Sequence, residues 1–131
     1  MQTVLDENRL ASCAPKVREA IADYVRRVST DLADAVASIT LYGSQARGEA
    51  EAESDIDLFI VVRRDTPALR EALADIAWQV QFEHSVVISD IIRNVSQLRL
   101  MRQHRFPYYQ GIEREGILLW KNTSETMHAY A

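Results

Sequence analysis

The chain has little cysteine, proline or glycine, with one, three and four of these among its 131 residues. The single cysteine, Cys13, cannot form an internal disulfide or a paired thiolate metal site, so we expect a small apolar contact or a surface thiol. No apolar run approaches the ~20 residues that span a bilayer, and the N-terminus lacks the basic start of a secretion signal. These absences predict a cytoplasmic protein.

Basic residues are also fewer than acidic ones, which gives a formal net charge of −4. An acidic protein is repelled by a polyanion, so nucleic acid is an unlikely main partner. Hydrophobic residues make up 47% and charged residues 26%, which is ordinary globular composition. The length predicts a single domain over residues 1–131, with residues 1–14 and 121–131 frayed or mobile.

The hydrophobic pattern predicts alternating helices and strands. Helices are expected to begin at Pro15 and Pro67, the second ending near Gln81, and Trp78 is expected at the edge of the core. Strands are predicted over 38–42, 55–63, 85–92 and 117–120, with further helical segments over 45–54 (a turn and a loop), 95–104 and 110–115. This order indicates an α/β domain of the α+β type, a small mixed sheet with helices packed on it.

The most informative stretch begins with Gly43 and Ser44, directly after the first predicted strand. Glycine lets the backbone adopt unusual angles and approach a ligand closely. Ser44 adds a hydroxyl donor, and the amides that follow would point together if residues 45–47 begin a helical turn. This is a candidate grip for a triphosphate.

Asp55 and Asp57 follow after ten intervening residues, at the start of the second predicted strand. Residues two apart in a strand leave the same face, so the two carboxylates should lie together, with the apolar residues at alternate positions facing the other way. Their mutual repulsion would be relieved by a cation, and Mg²⁺ favours one or two carboxylates plus phosphate oxygens and water.

Separately, a Gly-Ser turn and an Asp-x-Asp pair are common strand-end features. In this order and spacing, with Ala46-Arg47-Gly48 and Ser54 between them, they resemble the signature of the polymerase beta type nucleotidyltransferase superfamily. The pattern is most similar to the minimal nucleotidyltransferases, short antitoxins usually encoded beside a HEPN-domain ribonuclease toxin.

The resemblance implies the nucleotidyltransferase fold and a Mg²⁺-dependent transfer of AMP from ATP to a hydroxyl, expected to be a tyrosine of the HEPN toxin. Asp55 and Asp57 would bind metal, and Gly43 and Ser44 would hold phosphates. Arg47 could touch phosphate or form a salt bridge with the acidic loop.

Family members commonly add a third carboxylate on a later strand. A strand, helix, strand connection returns parallel, so the start of the third strand should lie beside the aspartates. This places Glu83 first as the third catalytic acid, ahead of Asp90, and the absence of any such acid is the remaining possibility. His84, like the other two histidines, is expected to have a surface or packing role.

Two other functions fit the same residues. The chain could be an antitoxin that neutralises its partner by binding alone, without turnover. It could also transfer a nucleotide to a small molecule such as an aminoglycoside, with an acceptor pocket built between two subunits.

Overall fold

A four-stranded mixed sheet carries the fold in the computed structural model, which describes residues 7–122. The strands lie in the order β3-β2-β1-β4. β1 is antiparallel to β2 and to β4, whereas β2 and β3 are parallel, as predicted for strands joined by a helix. Their bounds are Val36–Tyr42 for β1, Ile56–Val62 for β2, Ile88–Asn94 for β3 and Ile117–Lys121 for β4.

Within residues 7–122, five α-helices pack around the sheet, and a short 3-10 helix, Glu7–Leu10, precedes them. Three begin with proline at the first helical position, where its missing N–H costs nothing. The Thr66 hydroxyl also accepts a hydrogen bond of 3.1 Å from the Leu69 amide. The bounds are Pro15–Asp31 for α1, Gly43–Arg47 for α2, Pro67–His84 for α3, Val95–Gln103 for α4 and Pro107–Glu115 for α5.

Strand β2 is covered on both faces, and its side chains alternate between two packed layers. One set of its side chains packs in the main core with α1 and α3, as predicted: Ile56, Leu58, Ile60 and Val62. Phe59 and Val61 point the other way and pack with residues of α4 and α5. Asp57 shares the face of Phe59, so its carboxylate lies on the α4 and α5 side.

The segment before α1 packs against the domain where the structure describes it. Leu10 and Cys13 are both buried in the main core, so residues 7–14 are not a frayed lead-in. Cys13 is thus the apolar contact that was one of its two expected roles, and burial raises the pKa of its thiol. The expectations for residues 1–6 and 123–131 lie outside the described residues.

Helix α3 is longer than predicted, so β3 starts later in the chain than predicted. The helix continues to His84 and ends at Ser85, which adopts left-handed angles with φ of 55°. No glycine marks this end, so the sequence pattern placed it too early. The prediction for Trp78 is also wrong, because Trp78 and Phe82 are 66% and 77% exposed.

Within residues 7–122, no helix has the length and apolar character that a bilayer crossing requires.

Candidate functional site

The turn after β1 is built as the sequence predicts, with a glycine at the tightest point. Tyr42 is still extended, and Gly43 then takes φ of +74°, a left-handed angle that side chains rarely adopt. Helix α2 starts at once and ends with Gly48, also left-handed. The first amides of a helix have no partner within it, so the turn presents backbone donors beside the half-exposed Ser44.

This turn lies directly against one of the two aspartates. A Cβ placed on Gly43 would stand only 2.2 Å from the Asp57 Oδ2 atom. The strand register explains the contact, because Tyr42 and Asp57 are directly paired across β1 and β2. The structure therefore brings Gly43 and Asp57 together.

Asp57 lies in an electrostatically unfavourable place for a negative charge. Burial and the nearby charge of Asp55 both raise the pKa of Asp57, and Arg47 offsets part of this. Asp55 directly precedes β2 and is exposed. The Ile56 amide donates to the Val87 carbonyl at 2.8 Å, which ties this end of β2 to the start of β3. A divalent cation beside Asp57 would offset the effect of burial and of the Asp55 charge, so the two carboxylates fit such an ion.

Gln45 links the two halves of the site, and sequence reasoning gave it no role. Its side chain is 3% exposed, and Nε2 donates to the Ser54 carbonyl at 3.3 Å. Its own carbonyl accepts a long contact of 3.6 Å from Cys13 Sγ. Gln45 thus connects the turn after β1 to the residue that precedes Asp55. The only signal in the sequence that could have indicated it is a polar residue directly after a Gly-Ser pair.

Arg47 forms the salt bridge that was one of its two expected roles. Its Nε atom lies 2.7 Å from Glu49 Oε1 in the acidic loop, and Nη1 lies 3.7 Å from Glu115 Oε2 of α5. The hydrogen bond with Glu49 raises the pKa of Arg47 above its usual range. A phosphate contact by Arg47 stays a prediction.

The predicted position of Glu83, the first choice for the third acid, is wrong. Glu83 belongs to the last turn of α3 instead of the start of β3, and its Oε2 atom accepts from Arg27 of α1 at 2.6 Å. The early prediction of the helix end caused this error. Glu83 is occupied in a contact between two helices.

Asp90 does lie on β3, but on the opposite face from Asp57. It pairs with Leu58, whose side chain enters the core beneath α1 and α3. Burial raises the pKa of Asp90. In the described part of β3, Ser89, Ile91 and Arg93 share the face of Asp57, and none of them is a carboxylate.

A sequence profile for the nucleotidyltransferase domain matches residues 19–109, which include the turn, both aspartates and most of the sheet. The chain belongs to the nucleotidyltransferase family.

Two proteins of Methanocaldococcus jannaschii that carry the provisional name protein adenylyltransferase are similar to this nucleotidyltransferase. One is 34% identical over 59% of this chain and 79% of its own length. The other is 26% identical over 78% of this chain and 96% of its own length.

Solved structures confirm the fold of the nucleotidyltransferase. A toxin-antitoxin structure with AMP-PNP matches with a TM-score of 0.57 at 14% identity, covering 85% of this chain and 80% of that one. A mutant of the MntA-HpeT toxin-antitoxin pair matches with a TM-score of 0.56 at 12% identity and the same coverages.

The nucleotidyltransferase has a second charged cluster between α1 and α3. Asp23, Glu83 and His84 each place one potential ligand atom within 4.8 Å of the others. Arg27 already bonds to both carboxylates, and His84 Nε2 lies 2.8 Å from Asp23 Oδ2. This bonding matches the packing role expected for His84.

A pair of tyrosines, one of them the cross-strand partner of Asp57, was not expected from the sequence. The hydroxyls of Tyr42 and Tyr108 lie 3.0 Å apart, and their rings meet edge to face at 6.2 Å. Burial, the bond to Tyr108 and the charge of Asp57 all raise the pKa of Tyr42. No spacing in the sequence connects these residues, because Tyr42 ends β1 and Tyr108 begins α5.

Proposed function

We propose that this nucleotidyltransferase moves AMP from ATP to a hydroxyl of a partner toxin, expected to be a tyrosine of a HEPN-domain ribonuclease, and so acts as an antitoxin. Mg²⁺ is the proposed metal. The relatives named as protein adenylyltransferases support AMP transfer to protein. The fold that it shares with toxin-antitoxin structures, one of them with AMP-PNP, supports the partner and the nucleotide.

One observation carries the proposal: the Gly43 turn and the Asp57 carboxylate are in contact. A triphosphate on the backbone amides of the turn would have its phosphates beside Asp55 and Asp57. A phosphate group and two carboxylates repel one another, so this arrangement requires a cation. If the turn and the two aspartates lay far apart, one triphosphate could not contact both.

The residues then have distinct roles in the proposed reaction. Asp55 and Asp57 would hold Mg²⁺, which supplies neutralisation of the triphosphate charge when bound. Gly43 and Ser44 would bind the β- and γ-phosphates, and Arg47 would add positive charge at the end of α2. The acceptor oxygen forms a bond to the α-phosphorus while the bond to the β-phosphate breaks, and pyrophosphate leaves.

The test is AMP transfer to the partner encoded beside the gene. The purified chain, the partner, ATP and Mg²⁺ are incubated, and the partner is weighed by mass spectrometry. We expect added mass of one or more AMP groups, with the rate lowered at least about a hundredfold by Asp57→Asn. Asp75→Asn, an exposed aspartate on α3, is the matched control. An unmodified partner, or equal transfer by Asp57→Asn, rejects the proposal.

Neutralisation by binding alone is a second candidate, because no described residue of β3 places a carboxylate on the face of Asp57. The double variant Asp55→Ala, Asp57→Ala distinguishes the two in cells that express the toxin. Rescue by the double variant equal to wild type supports binding alone. Loss of rescue, with the variant still folded and still bound to the toxin, supports transfer.

A further inference from the structure

A phenol hydroxyl of the chain itself stands at the edge of the candidate site. Tyr42 is the last residue of β1, and its direct partner across β2 is Asp57, so the two side chains leave the same face of the sheet. Tyr108 is the second residue of α5, and its hydroxyl is one hydrogen bond away from that of Tyr42. Helix α5 is held beside α2 by the ion pair of Arg47 with Glu115.

The two tyrosines differ in accessibility. Tyr108 is 53% exposed, whereas Tyr42 is partly buried. Tyr109, the next residue along α5, packs against Phe59 in the core and hydrogen-bonds Glu113 at 3.1 Å. Of these three, Tyr108 is therefore the tyrosine that is open to solvent while its hydroxyl lies one hydrogen bond from that of Tyr42, the cross-strand partner of Asp57.

The chemistry of the site favours a phenol as acceptor. Side chains of β3 on the face of Asp57 are Ser89, Ile91 and Arg93, so β3 offers no carboxylate on that face to take a proton. A phenol, with a pKa of about 10, loses its proton far more readily than an aliphatic alcohol. An acceptor tyrosine thus needs the least help from a base.

We propose that Tyr108 is a self-adenylylation site. The Tyr108 oxygen forms a bond to the α-phosphorus of ATP, the bond to the β-phosphate breaks, pyrophosphate leaves, and the phenol proton passes to solvent. The inference rests on the proposed function. Its product carries a negative phosphodiester beside Asp55 and Asp57 and fills the space where a partner's hydroxyl would enter, so it lowers transfer to the partner.

The experiment incubates the full chain with Mg²⁺ and ATP labelled at the α-phosphorus, without partner. We expect one AMP group per chain, which is absent when the label is on the γ-phosphorus. Trypsin cuts after Arg105 and Arg114 and so releases residues 106–114, and fragmentation of this peptide assigns the AMP to Tyr108 or to Tyr109. AMP on any other residue, or none, overturns the inference.

Matched variants sharpen the assignment. Tyr108→Phe and Asp57→Asn should each lose the label, and Tyr109→Phe should keep it. A mixture of Tyr108→Phe, which lacks only the acceptor, with Asp57→Asn, which keeps the acceptor, tests whether the reaction is intramolecular. No label on either chain is expected, and label on the Asp57→Asn chain overturns the intramolecular reaction.

Failure of this inference can be told apart from failure of the proposed function. Wild-type chain that labels its partner but never Tyr108 overturns self-adenylylation and leaves the antitoxin reaction intact. Wild-type chain that labels neither overturns both.

Discussion

At the scale of single residues, Gly43 connects backbone geometry to the chemistry of the site. Two constraints act on it at once, a left-handed backbone angle and the Asp57 carboxylate against its Cα. Either constraint alone would disfavour a side chain, and together they leave room only for hydrogen. In the proposed function, the same closeness would let a phosphate lie on the backbone near the carboxylates of Asp55 and Asp57.

We expect Gly43→Ala to lower the free energy of unfolding by about 1–3 kcal/mol, because of the positive φ and the overlap with Asp57. The displaced carboxylate should also lower AMP transfer at least about tenfold. Urea denaturation and the transfer assay measure the two effects.

Gly111→Ala is the matched control for this substitution. Gly111 lies within α5, and an added Cβ would meet nothing within 4 Å. Alanine favours a helix over glycine, so we expect stability to rise by up to about 1 kcal/mol with transfer unchanged. Equal behaviour of the two variants would contradict the role assigned to Gly43.

At the scale of elements, α1 and α3 are joined by a charged cluster as well as by the core. Asp23 accepts hydrogen bonds from Arg26, Arg27 and His84, and Arg27 reaches Gln79 and Glu83 on α3. Burial alone would raise the pKa of Asp23, but the bonds from Arg27 and His84 and the nearby positive charges lower it below its usual range. The net effect is a carboxylate that is more stable when ionised in the folded protein.

We therefore expect Asp23→Asn to destabilise the protein by about 1–2 kcal/mol at neutral pH. A lowered folded pKa contributes stability above the unfolded pKa of about 3.9, and that contribution disappears as pH falls through the folded value. Urea denaturation of both proteins, at neutral pH and again near pH 3, measures the difference. A difference that persists at the lower pH would show that the carboxylate charge is not its source.

The limits of sequence-based prediction also lie in the elements. The starts of α1 and α3 follow from Pro15 and Pro67, whose constrained rings and missing N–H suit the first helical turn. The end of α3 could not be read, because Ser85 takes a left-handed angle usually marked by glycine.

The wrong prediction for the end of α3 also led to a wrong prediction in the candidate site. Gly43 and Asp57 meet as expected, since both belong to one ordered motif in adjacent strands. Glu83 was misplaced because β3 begins at Ile88 and the helix before it is longer. The face that Asp90 presents depends on strand register, and a shift of one residue reverses every side chain. In β3 the apolar residues do not alternate regularly, because Ile91 and Ile92 are adjacent, so the pattern does not indicate which face Asp90 takes.

At the scale of the whole molecule, one sheet supports two packed layers. The main core lies with α1 and α3, and the smaller one, with Phe59 and Val61, lies with α4 and α5. Both clusters include side chains of β2. Loss of either layer therefore exposes one face of the strand that contains Asp57 and directly follows Asp55.

We expect Leu73→Ala in the first layer and Leu98→Ala in the second each to cost about 2–5 kcal/mol, because both side chains are fully buried. Each variant should still unfold in a single transition, with circular dichroism and tryptophan fluorescence changing together. Two separate transitions in Leu98→Ala would show that the second layer unfolds independently.

The antiparallel pairing of β1 and β2 also bears on when Gly43 and Asp57 meet during folding. These two residues are close along the chain, so little loop entropy opposes their contact. Strand β4, which borders β1 on the other side, is made long afterwards by the ribosome. The nascent chain can thus bring Gly43 and Asp57 together before β4 has been synthesised.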